Sequence, residues 1–324
     1  MKKLFYLLML IILAFPKQSI AQEGVPIYHD YLSDNLFLLH PSMAGASSCA
    51  KARLTGRMQW FDVADNPMLQ TFSLNTHLGD NGQNGVGVII LNDRNGYHSQ
   101  KGIQLAYAHH IDFGNGAEVN KLSFGLAGSF FQNQLDETSF DPARVDPIIG
   151  GIVQSGIYYN LDFGLSYHLE NFFINMSVKN ALLMSRDLYT GLESVNVRNY
   201  IGSVGYFFGQ HSFHVEPSAL IQYKEYNGDV ILDANVKFYF DMTQYNTLYF
   251  GVSYRKDFEP SPYFEMHNVT PIFGVTIDRY TFAYTYTYEL ADIPLSNSGF
   301  HQITIGYNFN CRKQLVRNVC PEIR

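Results

Sequence analysis

The sequence has few charged side chains and none of the motifs that mark the common enzyme classes. Charged residues make up only 16% of the 324 residues, whereas about 25% is usual in soluble domains. The chain contains no G-x-S-x-G nucleophile elbow, H-E-x-x-H zinc helix, P-loop or dinucleotide-binding fingerprint. We therefore predict a non-enzymatic protein without a cofactor. A hydrolase that uses a few strand residues is the alternative.

Long apolar runs are also missing, except at the N-terminus. There, Lys2 and Lys3 precede an apolar stretch over residues 4–15, which leads to a small-residue site that ends at Ala21. This order is typical of a secretory signal peptide, and its apolar core is shorter than the ~18 residues of a spanning helix. We predict a signal peptide at residues 1–21. No cysteine follows the cleavage site to carry a lipid anchor.

Basic residues are too few to favour nucleic-acid binding. Removal of the signal peptide takes three of the 22 lysines and arginines and none of the 29 acids, so 19 − 29 leaves a net charge of −10. Proteins that bind nucleic acid usually carry a basic patch. Nucleic acid is therefore not a predicted partner.

What the sequence has in abundance is alternation of apolar and polar residues. Residues 229–241, DVILDANVKFYFD, place Val230 and Leu232 on one parity and Asp233 and Lys237 on the other. A period of two predicts a strand with one apolar and one polar face. Fourteen such segments occur, at 51–60, 70–78, 85–93, 99–111, 121–131, 157–168, 172–180, 198–208, 213–225, 229–241, 247–257, 269–278, 280–291 and 299–310.

The lengths of these segments favour a membrane barrel over a soluble sheet. Most are 9 to 13 residues long, whereas soluble strands usually have about 5–6 residues and a tilted strand needs roughly 9–11 to cross a bilayer. Short turns alternate with longer loops at 132–156, 181–197 and 258–268, as in outer-membrane barrels. An even strand number also allows closure without an unpaired edge, which lipid requires. A soluble β-sandwich or propeller is the alternative.

We therefore predict an all-β fold, a transmembrane antiparallel β-barrel of 14 strands over residues 51–310. It would lie in the lipid of the outer membrane of a Gram-negative bacterium, with its apolar face towards lipid and its polar face towards the lumen. Residues 22–50 would form an apolar plug segment, partly inside the lumen, or else a flexible periplasmic arm. Residues 311–324 would form a periplasmic tail, so that both termini are periplasmic.

The three cysteines would lie near the ends of this barrel. An odd number in an exported protein predicts one disulfide and one free thiol. Pairing of Cys49 with Cys311 or with Cys320 would join the plug segment to the end of the barrel, whereas a bond between Cys311 and Cys320 would only close a loop in the tail. All three could also be reduced. Their spacing and the lack of histidine neighbours do not indicate a metal site.

Three stretches in the first third of the chain resemble a known family. They are YLSDNLFLLHPSMAGAS (31–47), RMQWFDVADNPMLQTFSLNTHL (57–78) and GVGVIILNDRNGYHSQKGIQLAYAHHI (85–111). Each is similar to a signature stretch of the PorP/SprF family of type IX secretion system membrane proteins. Three positions depart from the family pattern: His40 stands where the family has Asn, Ser42 stands where it has Ala, and Leu69 is an extra residue before Gln70 and Thr71.

This resemblance implies an outer-membrane barrel that serves type IX secretion, in a family with some members tied to gliding motility. The implied partners are a secreted adhesin or effector with a type IX C-terminal sorting domain, and other components of secretion or motility. The candidate residues for a plug or for partner binding are Asn35, Phe37, His40, Pro41, Ala44, Gly45 and Trp60. A plugged channel or transporter for small substrates is the alternative.

Overall fold

The computed structural model describes ten stretches of the chain: residues 30–59, 66–79, 82–113, 119–138, 151–183, 197–210, 212–243, 245–258, 267–290 and 299–312. The predicted signal peptide, Trp60, Cys320 and most of the predicted tail lie outside these residues. Within them, no helix is both long enough and apolar enough to cross a membrane.

Antiparallel strands make up most of the described chain. They are β1 (Ala50–Gln59), β2 (Met68–Leu78), β3 (Asn84–Asn95), β4 (His98–Asp112), β5 (Asn120–Asp136), β6 (Val153–Leu169), β7 (Phe172–Lys179), β8 (Asn199–Tyr206), β9 (Phe208–Gln210), β10 (Phe213–Lys224), β11 (Val230–Asp241), β12 (Asn246–Phe258), β13 (His267–Ile277), β14 (Tyr280–Leu290) and β15 (Phe300–Phe309). Each of the fourteen predicted strands corresponds to one of these, with β8 and β9 sharing a single predicted segment.

The sheet closes on itself. β15 pairs with β1 from Ala50↔Phe309 onward, and the other strands pair with their neighbours in chain order. β9 continues β8 along the same partner, β10, so the described strands occupy 14 positions around the barrel. The interruption falls at Phe207, and the facing stretch of β10 contains Pro217, which cannot donate a ladder hydrogen bond. The predicted 14-stranded antiparallel barrel is confirmed.

The two faces of the wall differ as a membrane barrel requires. On β11, Asp233, Asn235 and Lys237 are at most 5% exposed, whereas Leu232 and Val236 on the other face are 39% and 38% exposed. The exposed apolar side chains elsewhere include Leu105, Phe124, Phe163, Met176, Ile221, Val252, Phe273 and Ile303. Buried polar and exposed apolar residues are the reverse of the soluble pattern, and they fit a wall with lipid outside it.

The apolar core lies on the polar face of the wall, where residues that precede β1 pack against apolar side chains of the strands. Three 3₁₀ turns, η1 (Asp30–Ser33), η2 (Leu36–Leu38) and η3 (Pro41–Met43), make up half of this N-terminal segment, residues 30–49. Its large apolar side chains are all buried, namely Tyr31, Leu32, Leu36, Phe37, Leu38, Leu39 and Met43. They form one cluster with apolar wall residues such as Ala108, Phe173 and Tyr249.

Two strands, β5 and β6, are longer than the sequence predicted by five or more residues. β5 continues to Asp136 and β6 begins at Val153, so the loop predicted at 132–156 was too long at both ends. Residues 132–134 (QNQ) have no apolar alternation, but they pair in register with β6, so backbone hydrogen bonds rather than an apolar face hold them in the strand. Residues 139–150 lie outside the described part.

Candidate functional site

The N-terminal segment contains six of the seven predicted site residues, and all six are buried: Asn35, Phe37, His40, Pro41, Ala44 and Gly45. The seventh, Trp60, lies outside the described residues. Hydrogen bonds join the segment to eight strands, β2, β4, β5, β6, β7, β8, β11 and β15. The site is therefore the contact between this short segment and the polar face of most of the wall.

The η3 turn rests on two facing glycines. Gly125 of β5 pairs with Gly164 of β6, and a Cβ at Gly125 would lie only 2.1 Å from the Ser42 nitrogen. Pro41 occupies the first position of the turn, where its fixed φ suits a helical start. The Ser42 and Ser166 hydroxyl oxygens are 2.6 Å apart. The glycines thus make room for the backbone, and the serine pair adds a specific hydrogen bond.

His40 joins two neighbouring strands through its ring. Its Nδ1 lies 2.7 Å from Oγ of Ser177 on β7, and its Nε2 lies 3.1 Å from Oγ of Ser203 on β8. Burial, and after it the nearby Lys179 and His168, lower the pKa of His40 to about 3. The neutral ring has one N–H donor and one acceptor, and hydroxyls can serve as either, so both ring nitrogens are matched.

The chain leaves η3 through Gly45, whose φ of +64° favours glycine. The backbone here lies against β3, because a Cβ at Gly85 would be 1.9 Å from the Ala44 carbonyl oxygen. That carbonyl can only accept, so His110 of β4 donates to it from Nε2 at 3.0 Å. The other ring nitrogen of His110 lies 2.7 Å from the Ser123 hydroxyl. The Ala-Gly pair therefore fits a close, hydrogen-bonded approach to the wall.

Charged side chains hold the η1 end of the segment. The Tyr31 hydroxyl donates to Asp233 at 2.5 Å, and Arg255 makes two bonds of 2.5 and 2.6 Å to the same carboxylate. Lys237 donates to Asp34 at 2.5 Å. Asp233, Lys237 and Arg255 are at most 5% exposed. Buried charges persist only when they are paired, so this network fixes where η1 lies.

A disulfide joins the segment to the end of the barrel. Cys49 and Cys311 are bonded with an S–S distance of 2.00 Å. Ala50 and Phe309, their near neighbours in the chain, form the first pair of the β1–β15 ladder, so the bond lies where the barrel closes. This is one of the three pairings that the sequence allowed, and Cys320 lies outside the described residues.

Sequence reasoning missed the wall residues that receive the segment. They are Gly85, His110, Gly125, Gly164, Ser166, Ser177, Ser203, Asp233 and Arg255. The alternation does place most of them on the polar face, but it does not say which polar-face residues meet the segment. No group of three or more His, Cys, Asp or Glu side chains in the described stretches is arranged to hold a metal ion.

The chain was compared with known proteins. The family model for the type IX secretion system membrane protein PorP/SprF matches residues 20–307, which confirms the resemblance of the three N-terminal stretches. No curated protein matches the chain.

Several solved structures share the fold. The CymD monoaromatic hydrocarbon channel has a TM-score of 0.52 at 10% identity, over 87% of this chain and 94% of that one. A FadL homologue from Pseudomonas aeruginosa has a TM-score of 0.45 at 10% identity, over 81% and 91%. CdiB from Acinetobacter baumannii has 0.42 at 7%, over 81% and 60%. Only the first of these has a TM-score above 0.5, and at 10% identity its likeness supports the barrel fold alone.

Proposed function

Because the chain belongs to the PorP/SprF family of type IX secretion system membrane proteins, we propose that this outer-membrane β-barrel receives or anchors a secreted surface protein through that protein's C-terminal sorting domain. It would hold this partner by shape and hydrogen bonding, without catalysing a reaction. Other components of type IX secretion or gliding motility are further proposed partners.

The observation that carries this proposal is the set of hydrogen bonds from the N-terminal segment to eight strands of the closed wall. We infer that residues 22–50 form a plug in the lumen. A plug with so many buried polar bonds resists displacement, since each bond broken without a new partner costs about 1–3 kcal/mol. A barrel held closed in this way suits the binding of a protein better than free diffusion through the lumen.

The orientation belongs to the same proposal. The disulfide between residues 49 and 311 lies at the rim that has most of the short connections, such as Glu170–Asn171 and Asp278–Arg279; the opposite rim has the long ones and one equally short turn, Gly96–Tyr97. Short turns are on the periplasmic side of outer-membrane barrels. We therefore propose that the signal peptide delivers the chain to the periplasm, and that both termini, including the tail at 311–324, stay there.

The direct test is recovery of the partner from the native membrane. The tagged full-length chain is purified in mild detergent and its companions are identified by mass spectrometry, with another tagged barrel of the same membrane as the control. We expect one secreted protein, or its C-terminal domain, in stoichiometric amount with this chain and not with the control. We also expect deletion of the chain to remove that protein selectively from the cell surface. Recovery of the barrel alone would contradict the proposal.

A plugged channel or transporter for small substrates is the second candidate, and the CymD monoaromatic hydrocarbon channel is an example of that function on the same barrel fold. Planar bilayer recordings separate the two functions. Ungated ion conductance by the purified barrel, together with a loss of substrate uptake on deletion, would support the channel.

A further inference from the structure

The strands of the wall do not all extend equally far towards the rim of the long loops. β6 pairs with β5 along its whole length, but it pairs with β7 only from Phe163 onward. β7 ends at Lys179, and β8 begins beside it at Asn199. Among the described residues, no strand therefore lies next to Val153–Asp162 on the β7 side.

Every second residue of this stretch points its backbone groups towards the open side. The Leu161 carbonyl faces β7, because it accepts from the Ala181 nitrogen at 2.8 Å, whereas the Asn160 carbonyl faces β5 and accepts from Ser129. These directions alternate along an antiparallel strand. The residues that share the direction of Leu161 are Val153, Ser155, Ile157 and Tyr159.

The side chain of Asn160 marks where the ladder stops. Its Oδ1 accepts from the backbone nitrogens of Leu161 at 2.9 Å and Leu182 at 2.8 Å. The last backbone groups of the β6–β7 junction are thus capped by a side chain. We name the stretch before this cap, Val153–Tyr159, the β6 edge; four of its seven residues direct their backbone groups towards the open side.

The β6 edge has none of the protection that edge strands usually carry. Natural edges are blocked by charged side chains, proline or bulges. Here the four outward residues are uncharged, none is proline, and the register with β5 runs without a bulge. Ile157 and Tyr159 are 76% and 51% exposed. Such an edge is open to pairing with another strand.

The edge also extends beyond the lipid belt. Phe130 pairs with Tyr159. Their side chains are apolar and aromatic, as is typical of the outer face where it meets the edge of the lipid. One step further from the short turns, Gln132 pairs with Lys101 on one side and with the apolar Ile157 on the other, and the next step pairs Gln134 with Ser155, so polar side chains enter the outer face at these two levels. The open backbone groups of Val153 and Ser155 therefore lie beyond the apolar band, on the side of the long loops, and the edge reaches down to the interface at Tyr159.

We propose that the β6 edge is a β-augmentation site that takes an extended strand of the secreted partner. This inference rests on the proposed function, because it names how that partner is held. Four residues offer one N–H and one C=O each, repeated every two residues or about 6.6 Å. An extended polypeptide matches that spacing, which lipid headgroups do not. We expect apolar or uncharged side chains at alternate positions of the partner strand, next to Ile157.

Proline substitutions test the edge without breaking the barrel. Ser155→Pro and Ile157→Pro each remove one N–H that faces away from β5, which an edge strand tolerates. The matched controls, Ser155→Ala and Ile157→Thr, keep the N–H and change only the side chain. Each full-length variant is purified from the outer membrane, and the protein that co-purifies with the wild-type chain is quantified by mass spectrometry. We expect about tenfold less of it with the proline variants and at most about twofold less with the controls.

The outcomes separate this inference from the proposed function. Equal recovery with proline and control variants would overturn the β6 edge as the site and leave the proposed function intact, whereas no partner on the wild-type chain would overturn both. Heat-modified migration on gels checks that each variant is folded.

If the proline variants do not fold, hydrogen exchange of the wild-type chain decides the question. Amides of residues 153–159 should exchange rapidly in the isolated chain and at least about tenfold more slowly with the partner bound. Protection already present in the isolated chain would mean that its own residues 184–196 or a second copy cover the edge. That result would refute the inference.

Discussion

Gly125→Ala tests whether the wall holds the N-terminal segment. A Cβ at Gly125 would lie 2.1 Å from the Ser42 nitrogen and 2.3 Å from the Pro41 carbonyl carbon. Both are backbone atoms, so no side-chain rotation relieves the overlap. Because ordinary contact begins at 3.4 Å, η3 must move by about 3.4 − 2.1 = 1.3 Å. Alanine fits an antiparallel strand, so β5 itself should keep its pairing.

A shift of that size would break the hydrogen bonds of η3. The 2.6 Å separation of the Ser42 and Ser166 hydroxyls would become about 3.9 Å for a straight withdrawal, which is beyond hydrogen-bonding distance. The two ring bonds of His40 depend on the same backbone. Three bonds at about 0.5–1.5 kcal/mol each amount to roughly 1.5–4.5 kcal/mol. We expect docking of the segment to weaken by about tenfold to a thousandfold.

Hydrogen exchange of the segment measures this weakening in the purified barrel. The amides of residues 36–46 should exchange faster in Gly125→Ala, and bilayer recordings should show openings that the wild-type chain lacks. Gly128→Ala on the same strand is the control, because the nearest atom to its Cβ is the Leu161 Cδ2 at 3.9 Å. Wild-type exchange in Gly125→Ala, or equal acceleration in Gly128→Ala, would refute the reasoning.

Three further substitutions probe the other contacts of the segment, each read out as the midpoint temperature of heat-modified migration. His40→Ala removes the ring that bonds to two buried serine hydroxyls, of which Ser203 keeps its bond from Asn175, and should cost about 1–3 kcal/mol. His40→Asn, with an amide that can donate and accept, should recover part of this. Asp233→Ala strands the buried charge of Arg255 and should cost about 3–5 kcal/mol; a double variant with Arg255→Met that is no more stable than Asp233→Ala would contradict that account. Cys49→Ser should cost about 2–4 kcal/mol, and reduction of the wild-type Cys49–Cys311 bond should lower the midpoint equally, whereas reduction should leave the Cys49→Ser variant unchanged.

The alternation of apolar and polar residues was sufficient to predict the barrel. Alternation is a local property with a period of two, so 229–241 could be assigned to a strand and its faces ordered without knowledge of its neighbours. The same pattern failed at 132–134, where polar residues continue β5 because β6 supplies backbone hydrogen bonds. Strand ends that depend on pairing with a distant strand leave no periodic signal in their own residues.

For a related reason, the sequence predicted the N-terminal residues of the candidate site but not the wall residues that they contact. The family resemblance singled out His40 and Pro41, and the structure buries both. Their partners were not predictable, since Ser42 bonds to Ser166 across 124 positions of the chain and Tyr31 to Asp233 across 202. Dozens of polar residues share the face on which these partners lie.

Sequence pattern therefore accounts for the fold class, the polarity of each face and the family, because each of these follows from local periodicity or from short motifs. Three features needed the folded chain: which wall residues receive the segment, which cysteines pair, and where the wall leaves the β6 edge open. The first two depend on closure of the sheet, which brings residues that are distant in the sequence side by side, and the third depends on where β7 and β8 end relative to β6. Cys49 and Cys311, 262 positions apart, become neighbours only because β1 and β15 pair.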